Sequence, residues 1–373
     1  MRILHVNDEG LQELGGVSRY LERLLPAQEA LGHQTRLLTG LAVHEGWRRV
    51  LDFWDPATRR AVEREVDAWG ADVVHLHSVL RECSVSVTAL RREVPIVLSV
   101  HDPKILGETE HGGRRLLELV DRRVKSPFER AVARRTVSRF APVSQELTGR
   151  CEAAGLRPAT WLPGPMFVPT VPPPAPSSCH DVVFTGRLAP DKGAVQLLQA
   201  WDLLAADHPD SRLHLLGDGP QWDTVQALAG PTVVLHGAVD QGAVSAALSG
   251  ARVCVAPYQP SLRQASSLAT LEAAAYGRPV VVGNDPAVVE ILDRLGGGTA
   301  VDATDPAALA AAIGRLLDDP DAADAEGATL AAAVGLSYSP EAVARRSLEV
   351  YALSRDPAAG RASGRRRRRP WRP

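Results

Sequence analysis

A chain of 373 residues, with 45% hydrophobic and 23% charged residues, has the size and composition of a two-domain globular protein. Its four cysteines are scattered without a C-x-x-C pair, which argues against a disulfide framework or zinc site and favours the reducing cytoplasm. No apolar run reaches the roughly 18 residues of a membrane span, and the first residues are typical of a strand rather than a signal peptide.

Charge is unevenly distributed along the chain. The formal net charge is −2, yet residues 361–373 contain seven arginines and no acidic residue. The remainder is therefore acidic and a poor general binder of nucleic acid. The tail, 356–373, is interpreted as disordered, and contact of its arginines with nucleic acid or anionic lipid is the alternative.

The first half alternates apolar segments with helical patterns. Strands are predicted at Arg2–Val6, Gln34–Leu38, Asp72–Leu76, Ile96–Val100 and Phe140–Val143, and helices at Val17–Leu31 and Gln145–Ala154. Apolar runs without alternation indicate strands buried on both faces, hence a parallel sheet covered by helices. Residues 1–165 are predicted to form this Rossmann-like N-terminal domain.

Prolines mark the predicted domain boundary. Seven of them lie between Pro163 and Pro176, and such a run is stiff, extended and unable to pair centrally in a sheet. Residues 163–178 are therefore predicted to be the linker.

The second half repeats the alternation. Strands are predicted at Asp181–Phe184, Arg212–Leu216, Thr232–Leu235, Val253–Ala256 and Pro279–Val282, and helices at Ala194–Asp207, Trp222–Ala229, Gln241–Leu248, Ser267–Tyr276, Ala287–Leu292 and Pro306–Leu317. Residues 179–338 are thus predicted to form a second α/β domain. Two such domains are expected to face each other across a cleft. A final helix is predicted at 339–355, with packing back on the first domain as one arrangement.

Two cations follow the strand that ends in Phe184-Thr185-Gly186. Arg187 and Lys192 lie five positions apart at the carboxyl end of a strand, where ligands of doubly wound sheets bind. The chain contains only three lysines, so arginine supplies nearly every ordinary positive charge. Lysine at 192 therefore indicates that a compact point charge is needed, with a solvated loop lysine as the alternative.

Histidines and glycines follow strands of the first domain. Gly16 sits between the first strand and its helix, where a backbone can approach an anion. His101 ends another strand and is predicted to face the cleft, with a role in its own loop as the alternative. His75 and His77 point to the same side of one strand, and without a third ligand at a sensible spacing they favour packing over a metal site.

A loop and helix at 261–279 carry a second anion signal. Backbone N–H groups at the helix start near Ser267 form an anion cradle. Glu272 lies about one turn further on, where its carboxylate can accept hydrogen bonds from two adjacent sugar hydroxyls. A surface glutamate is the alternative.

The chain resembles glycosyltransferase family 4 (glycosyl transferases group 1), retaining enzymes with the GT-B fold of two Rossmann-like doubly wound parallel-sheet domains. The resemblance extends to about residue 350. It is carried, in order, by Gly15-Gly16-Val17, Asp72–His77, Ser99–Asp102, Gly186–Leu188 with Lys192-Gly193, Leu216–Pro220, and Glu272-Ala273 with Gly277–Val281.

The resemblance makes 179–338 the nucleotide-sugar-binding domain and implies roles for five of its residues. Arg187 and Lys192 would hold the diphosphate of a nucleotide-sugar donor and neutralise it as it leaves. Ser267 and Leu268 would offer backbone N–H groups to the phosphates, and Glu272 would bind the donor ribose.

Four further positions are implied by the same resemblance. Val239 would lie near the base, Gly16 would let the first domain close over the phosphates, and His101 would lie beside the donor sugar. The family's second glutamate is replaced by Gln264, which keeps the side-chain length but loses the charge and gains a donor. The identity of the donor sugar is thereby left open.

The predicted activity is transfer of a hexosyl or N-acetylhexosaminyl group from a UDP- or GDP-linked donor to an acceptor hydroxyl, with retention. No Asp-x-Asp motif is present, so no metal or other cofactor is expected beyond the co-substrate. The alternatives are a nucleotide-sugar epimerase on the same fold and a non-catalytic partner with Gln264 as its lesion. The acceptor is unidentified and is expected to contact the N-terminal domain, which makes 1–165 the acceptor-side domain, at the loop 103–115 and the region 7–14. The sequence leaves the oligomeric state open.

Overall fold

A computed structural model describes residues 1–7, 16–41, 54–77, 84–91, 93–107, 119–259 and 266–355 of the chain. The chain divides into two compact units. The first unit comprises Met1–Gly164 together with Val343–Pro373, and the second unit comprises Pro165–Ala342.

The described part of the first unit contains a five-stranded parallel sheet of order β2-β1-β3-β4-β5. Its strands are β1 (Arg2–Asn7), β2 (Gln34–Leu38), β3 (Val73–His77), β4 (Ile96–Val100) and β5 (Arg139–Pro142). Its helices are α1 (Gly16–Ala30), α2 (Pro56–Trp69), α3 (Ser126–Thr136), α4 (Gln145–Ala153) and, from the far end of the chain, most of α12 (Pro340–Arg355). The strand order reverses direction between β1 and β3, which is the position where doubly wound sheets bind ligands.

Local sequence explains why these elements begin and end where they do. Asp55 caps α2 by accepting a hydrogen bond from the Ala57 amide at 2.8 Å, and Pro56 occupies the first helical turn. Gly70 ends the same helix at a φ of 69°. Strands β3 and β4 are buried along their whole length, as expected for parallel strands covered on both faces.

Helix α12 completes the core of the first unit. Its residues Val343 and Tyr351 are fully buried and pack with Ile3, Leu21 and Leu24. The last described helix therefore belongs with the first described strand.

The second unit contains a six-stranded parallel sheet of order β11-β10-β9-β6-β7-β8 in its described residues. Its strands are β6 (Asp181–Thr185), β7 (Leu213–Leu216), β8 (Val233–Gly237), β9 (Ala251–Ala256), β10 (Val280–Gly283) and β11 (Thr299–Val301). Its helices are α5 (Ala194–Leu204), α6 (Trp222–Leu228), α7 (Gln241–Gly250), α8 (Leu268–Ala275), α9 (Pro286–Leu295), α10 (Pro306–Asp318) and α11 (Pro320–Ser337). The order reverses between β6 and β9, so the loop carrying Arg187 and Lys192 leaves the sheet at its switch point.

The predicted class of two doubly wound α/β sheets is confirmed, but two elements of the second unit were not predicted. Strand β11 is only three residues long. Helix α11 buries two small residues, Ala323 and Gly327, beside Leu330 and Val334, so its sequence lacks the strong apolar periodicity of a surface helix. No helix among the described residues is both long and apolar enough to cross a bilayer.

Candidate functional site

The loop after β6 lies against the loop after β7 through backbone contacts. The Gly186 amide donates to the Leu216 carbonyl and the Leu188 amide to the Asp218 carbonyl, both at 2.9 Å. A Cβ on Gly217, which has a φ of +144°, would lie 1.8 Å from the Gly186 oxygen. Only glycine allows this approach, and it positions the segment that contains Arg187.

The same loop is fixed to the end of β9 on its other side. Gly193 has a φ of +72°, and a Cβ there would lie 2.0 Å from the Pro257 oxygen. The Gln259 amide donates to the Asp191 carbonyl at 3.1 Å. These two contacts hold Lys192 at the switch point, beside Tyr258.

Lys192 is mostly buried and lies between a carboxylate and an aromatic face. Its Nζ lies 3.3 Å from Asp191 Oδ2 and 4.2 Å from the centroid of the Tyr258 ring, and its side chain is 18% exposed. Burial lowers the pKa of Lys192, and the attraction of Asp191 opposes that shift. The ammonium is therefore partly desolvated but retains a partner that favours its charged form.

Arg187 lies on the solvent side of the same carboxylate. Its guanidinium nitrogen is 4.0 Å from Asp191 Oδ1, and its side chain is 67% exposed. Asp191 thus lies between the two predicted cations, and sequence reasoning had assigned it no role. Its carboxylate offsets part of their charge when no anion is bound.

Tyr258 connects this loop to the start of α8. Burial raises the pKa of the Tyr258 phenol, a hydrogen bond with Ser267 opposes the shift, and the carboxylates of Asp191, Glu272 and Asp285 raise it further. The Tyr258 phenol therefore lies near groups from distant parts of the sequence, since Asp191 and Asp285 are almost 100 positions apart. Tyr258 and Asp285 were not predicted, because a tyrosine after a buried strand and an aspartate before a helix proline are common in any α/β fold.

Helix α8 begins as its sequence indicates. Ser267 is fully buried and caps the helix, its hydroxyl accepting from the Thr270 amide at 3.2 Å. Leu268 is the first helical residue and is 38% exposed, whereas Glu272, one turn further on, is only 8% exposed. Asp285 caps α9 through the Ala287 amide at 3.0 Å and is 1% exposed.

Two predicted residues of the second unit remain, and only one of them lies in the described part of the chain. Val239 lies half-buried between the end of β8 and Asp240, which caps α7. Gln264 lies outside the described residues.

Two of the predicted site residues, Gly16 and His101, belong to the first unit. Gly16 is the exposed first residue of α1. His101 follows β4 and is half-buried, with its Nε2 3.2 Å from His77 Nδ1 and the Tyr20 ring packed edge-on at 5.0 Å. Burial lowers the pKa of His101 to about 4, with Asp102 opposing the shift, so the imidazole is neutral at pH 7.

His101 belongs to a cluster of imidazoles that sequence reasoning recognised only in part. His5 on β1 lies opposite His75 on β3, and both are fully buried with His77. One nitrogen of each of these three rings lies within 4.8 Å of the others, which makes them a candidate metal group. The third imidazole was missed because it comes from another strand, 70 positions away.

Each ring nitrogen of the three buried histidines already has a hydrogen-bond partner. His5 contacts His77 and Gln28, His77 also contacts His101, and His75 contacts Ser99 and Tyr351, at distances of 2.8–3.2 Å. A metal ion would have to displace several of these bonds, so the donor set fits a hydrogen-bonded cluster better than a metal centre.

Comparison with protein families gives two matches that together span both units. A family model described as "Glycosyl transferase 4-like domain" matches residues 15–163. A second, described as "Glycosyl transferases group 1", matches residues 179–319.

Individual proteins agree with these matches. Glycogen synthase of Mycobacterium tuberculosis is 28% identical over 303 residues, covering 76% of this chain and 69% of the relative. Sucrose-phosphate synthase of Thermosynechococcus elongatus superposes with a TM-score of 0.72 at 19% identity, covering 94% of this chain and 98% of that one. The Anabaena protein HepE, in complex with UDP, superposes with a TM-score of 0.66 at 15% identity, covering 94% of this chain and all of that one.

Proposed function

Because this chain belongs to the glycosyl transferases group 1 family, also called glycosyltransferase family 4, we propose that it moves a sugar from a nucleotide-diphosphate donor to an acceptor hydroxyl with retention of configuration. Its two doubly wound sheets are those of the GT-B fold. The reaction class of glycosyl transfer comes with the family, and the finer assignments below are proposals.

The environment of Lys192 is the observation that carries the proposed chemistry. A nucleoside diphosphate that leaves the sugar gains negative charge, and a partly desolvated ammonium stabilises that charge more strongly than a hydrated one. Asp191 and Tyr258 keep the ammonium in place before the donor arrives. An ammonium held in place in this way can stabilise the charge of the leaving diphosphate as a metal ion would, and we propose that no metal is required.

Neighbouring groups complete the donor site in this proposal. Arg187, an exposed residue of the same loop, forms a fork to the second phosphate. The backbone N–H groups of Ser267 and Leu268 face the phosphates from the start of α8. The buried carboxylate of Glu272 accepts from the two ribose hydroxyls, and Val239 lies near the base.

Chemistry at the sugar needs no dedicated protein base. In a retaining transfer of this kind, the departing phosphate oxygen takes the acceptor proton on the face from which it leaves. The acceptor oxygen then bonds to the anomeric carbon on that same face. The role proposed for His101, which rests on the family resemblance alone, is contact with the donor sugar.

The donor is proposed to be a UDP- or GDP-linked hexose. The resemblance to glycogen synthase, which covers 76% of this chain, favours a hexosyl group, and the UDP complex of a protein with the same fold favours uridine. The acceptor is proposed to be a sugar or polyol hydroxyl.

A donor panel with mass detection tests the proposal. The protein is incubated with UDP- and GDP-linked hexoses and N-acetylhexosamines, each with and without a mixed library of hydroxyl acceptors. A new glycoside that forms only with acceptor present is the expected product. Isomerisation of a donor alone would indicate an epimerase instead, and absence of UDP and GDP binding by calorimetry would reject the donor site.

A further inference from the structure

A buried row of hydrogen bonds runs across the first unit from α1 to the end of β4. Gln28 Oε1 lies 2.8 Å from His5 Nε2, His5 Nδ1 lies 3.0 Å from His77 Nε2, and His77 Nδ1 lies 3.2 Å from His101 Nε2. We call these four residues the histidine row. Gln28, His5 and His77 are fully buried, so solvent does not compete for these hydrogen bonds.

The imidazoles of the row are neutral at pH 7. Burial lowers the pKa of His5 and of His101 to about 4, and it lowers that of His77 well below the ordinary value. A neutral imidazole has one N–H donor and one bare acceptor nitrogen. Consequently, the tautomer of one ring dictates the tautomer of the next, and the row as a whole can point in only two directions.

Helix α12 selects one of these directions. The Ser347 hydroxyl donates to the Ala344 carbonyl at 2.7 Å, so towards Gln28 Nε2, 2.8 Å away, it can only accept. The Tyr351 hydroxyl also accepts from Gln28 Nε2, at 3.0 Å. The amide nitrogen of Gln28 must therefore face α12, which turns its carbonyl oxygen towards His5.

That orientation sets each ring in turn. His5 donates from Nε2 to Gln28, so its Nδ1 accepts from His77 Nε2–H. His77 Nδ1 then accepts from His101 Nε2–H, and His101 is left with a bare, accepting Nδ1. The edge-on Tyr20 ring holds the imidazole in this plane.

We propose that Gln28, His5 and His77 are positioning residues that fix His101 as the Nε2–H tautomer, so that its Nδ1 accepts a hydrogen bond from a substrate hydroxyl. This role rests on the proposed function, since it takes His101 to lie beside the donor sugar. It also defines specificity, because a hydroxyl or an amine can donate to Nδ1 whereas a carboxylate at that position would be repelled by its lone pair.

The orientation of His101 can be measured without any substrate. Nitrogen-15 NMR of the full chain labelled at histidine distinguishes protonated from bare ring nitrogens, and a His101→Asn variant assigns the signals. The expected result is a protonated Nε2 and a bare Nδ1 in the unmodified protein. A protonated Nδ1 would overturn the proposal at once.

Three variants test whether the row is responsible. Gln28→Leu removes the acceptor at its far end, and the two His101 signals should then move towards the average of both tautomers. Ser347→Ala, a milder change that removes the group orienting Gln28, should move them in the same direction. Ser354→Ala is the matched control, because it removes a hydroxyl of the same helix α12 whose bond, to the Tyr351 carbonyl at 2.7 Å, lies outside the row, and it should leave His101 unchanged.

Activity separates a positioning role from a structural one. Gln28→Leu should lower kcat/KM about two- to tenfold, the range expected for one weakened neutral hydrogen bond. In a His101→Asn background the same substitution should have no further effect, and an additional loss there would overturn the role.

Two other results have defined meanings. If one transition-metal ion per chain copurifies and its removal shifts the signals of His5, His75 and His77, the cluster is a metal centre and the row is rejected. If His101 is fixed as expected but no donor of the panel is turned over, the proposed function fails and with it the substrate contact, while the tautomer itself stands.

Discussion

At the scale of single residues, Lys192 shows how a cation is kept ready in a partly buried site. Its ammonium contacts Asp191 and the face of Tyr258 before any anion is present. The scarcity of lysine in the sequence pointed to this position. Neither partner was predicted, since Tyr258 comes from the loop after another strand, β9, and Asp191 had been assigned no role.

Replacing Lys192 by alanine should lower kcat on the order of 10²-fold, because the proposed charge contact to the leaving diphosphate is lost. Lys125→Ala is the matched control, since Lys125 also pairs with a carboxylate, Glu129 at 3.9 Å, and its side chain is 15% exposed. Turnover of both proteins is measured with the best donor of the panel. A Lys192→Ala enzyme that turns over as fast as the control would rule out the clamp.

The pH dependence of kcat/KM should report the loss of the proton from Lys192. Because burial lowers its pKa, Lys192 should lose its proton at a lower pH than an ordinary lysine, and kcat/KM should fall correspondingly early on the alkaline side. In Lys192→Arg the guanidinium does not titrate, so that fall should disappear even though activity is lower. Identical alkaline profiles for the two proteins would contradict this assignment.

At the scale of elements, glycines decide how closely the loops of the second unit approach. The sequence predicted the strand before Gly186 and the helix after Gly193, since both have clear apolar patterns. It could not predict which backbone each glycine would touch, because Gly193 meets Pro257 and Gly217 meets Gly186 only after the sheet has assembled. Helix α11 was not predicted for a related reason, since two of its four buried residues are small.

Gly193→Ala should destabilise the protein by more than the strain of its backbone alone. Gly296→Ala is a matched control, because Gly296 has a φ of +70°, like the +72° of Gly193, but no atom within 4 Å of its added Cβ. The control should lose about 1–2 kcal/mol from left-handed strain, and Gly193→Ala should lose more from the clash with Pro257. Urea denaturation gives both values, and equal losses would show that the loop moves aside freely.

At the scale of the whole molecule, each unit is a doubly wound sheet whose notable residues gather where the strand order reverses. The sequence predicted this architecture because buried parallel strands leave unbroken apolar runs. It predicted His75 and His77 as a pair on one strand but not the cluster, since the pairing of β1 with β3 brings in His5. Strand order is a property of the assembled sheet, and no local pattern encodes it.

The buried histidines should make the protein sensitive to mild acid. The unfolded chain takes up protons below about pH 6.5, whereas native His5 and His101 resist protonation until about pH 4. Burial also lowers the pKa of His75 and His77 well below the ordinary value. Stability should therefore be complete above pH 6.5 and fall as the pH drops towards 4.

Each neutral imidazole should contribute a slope of about 1.4 kcal/mol per pH unit in that window. Tyr20 and Tyr351, which also face the cluster, stay neutral throughout because burial raises their pKa. The Asp102 carboxylate beside His101 raises the pKa of that imidazole and so reduces its share of the stability lost in acid. Urea denaturation between pH 5 and pH 7.5 measures the slope. A flat profile would mean that the imidazoles are hydrated in solution.

The place of α12 in the first unit also sets an order of events during synthesis. Val343 and Tyr351 complete the core around Ile3, and the ribosome synthesises them only after all of Pro165–Ala342. The half of the protein that is made first should thus be the last to finish folding, while the later half matures ahead of it. Limited proteolysis of chains stalled after residue 342, with a long tether, should find the second unit protected and the first unit cleaved.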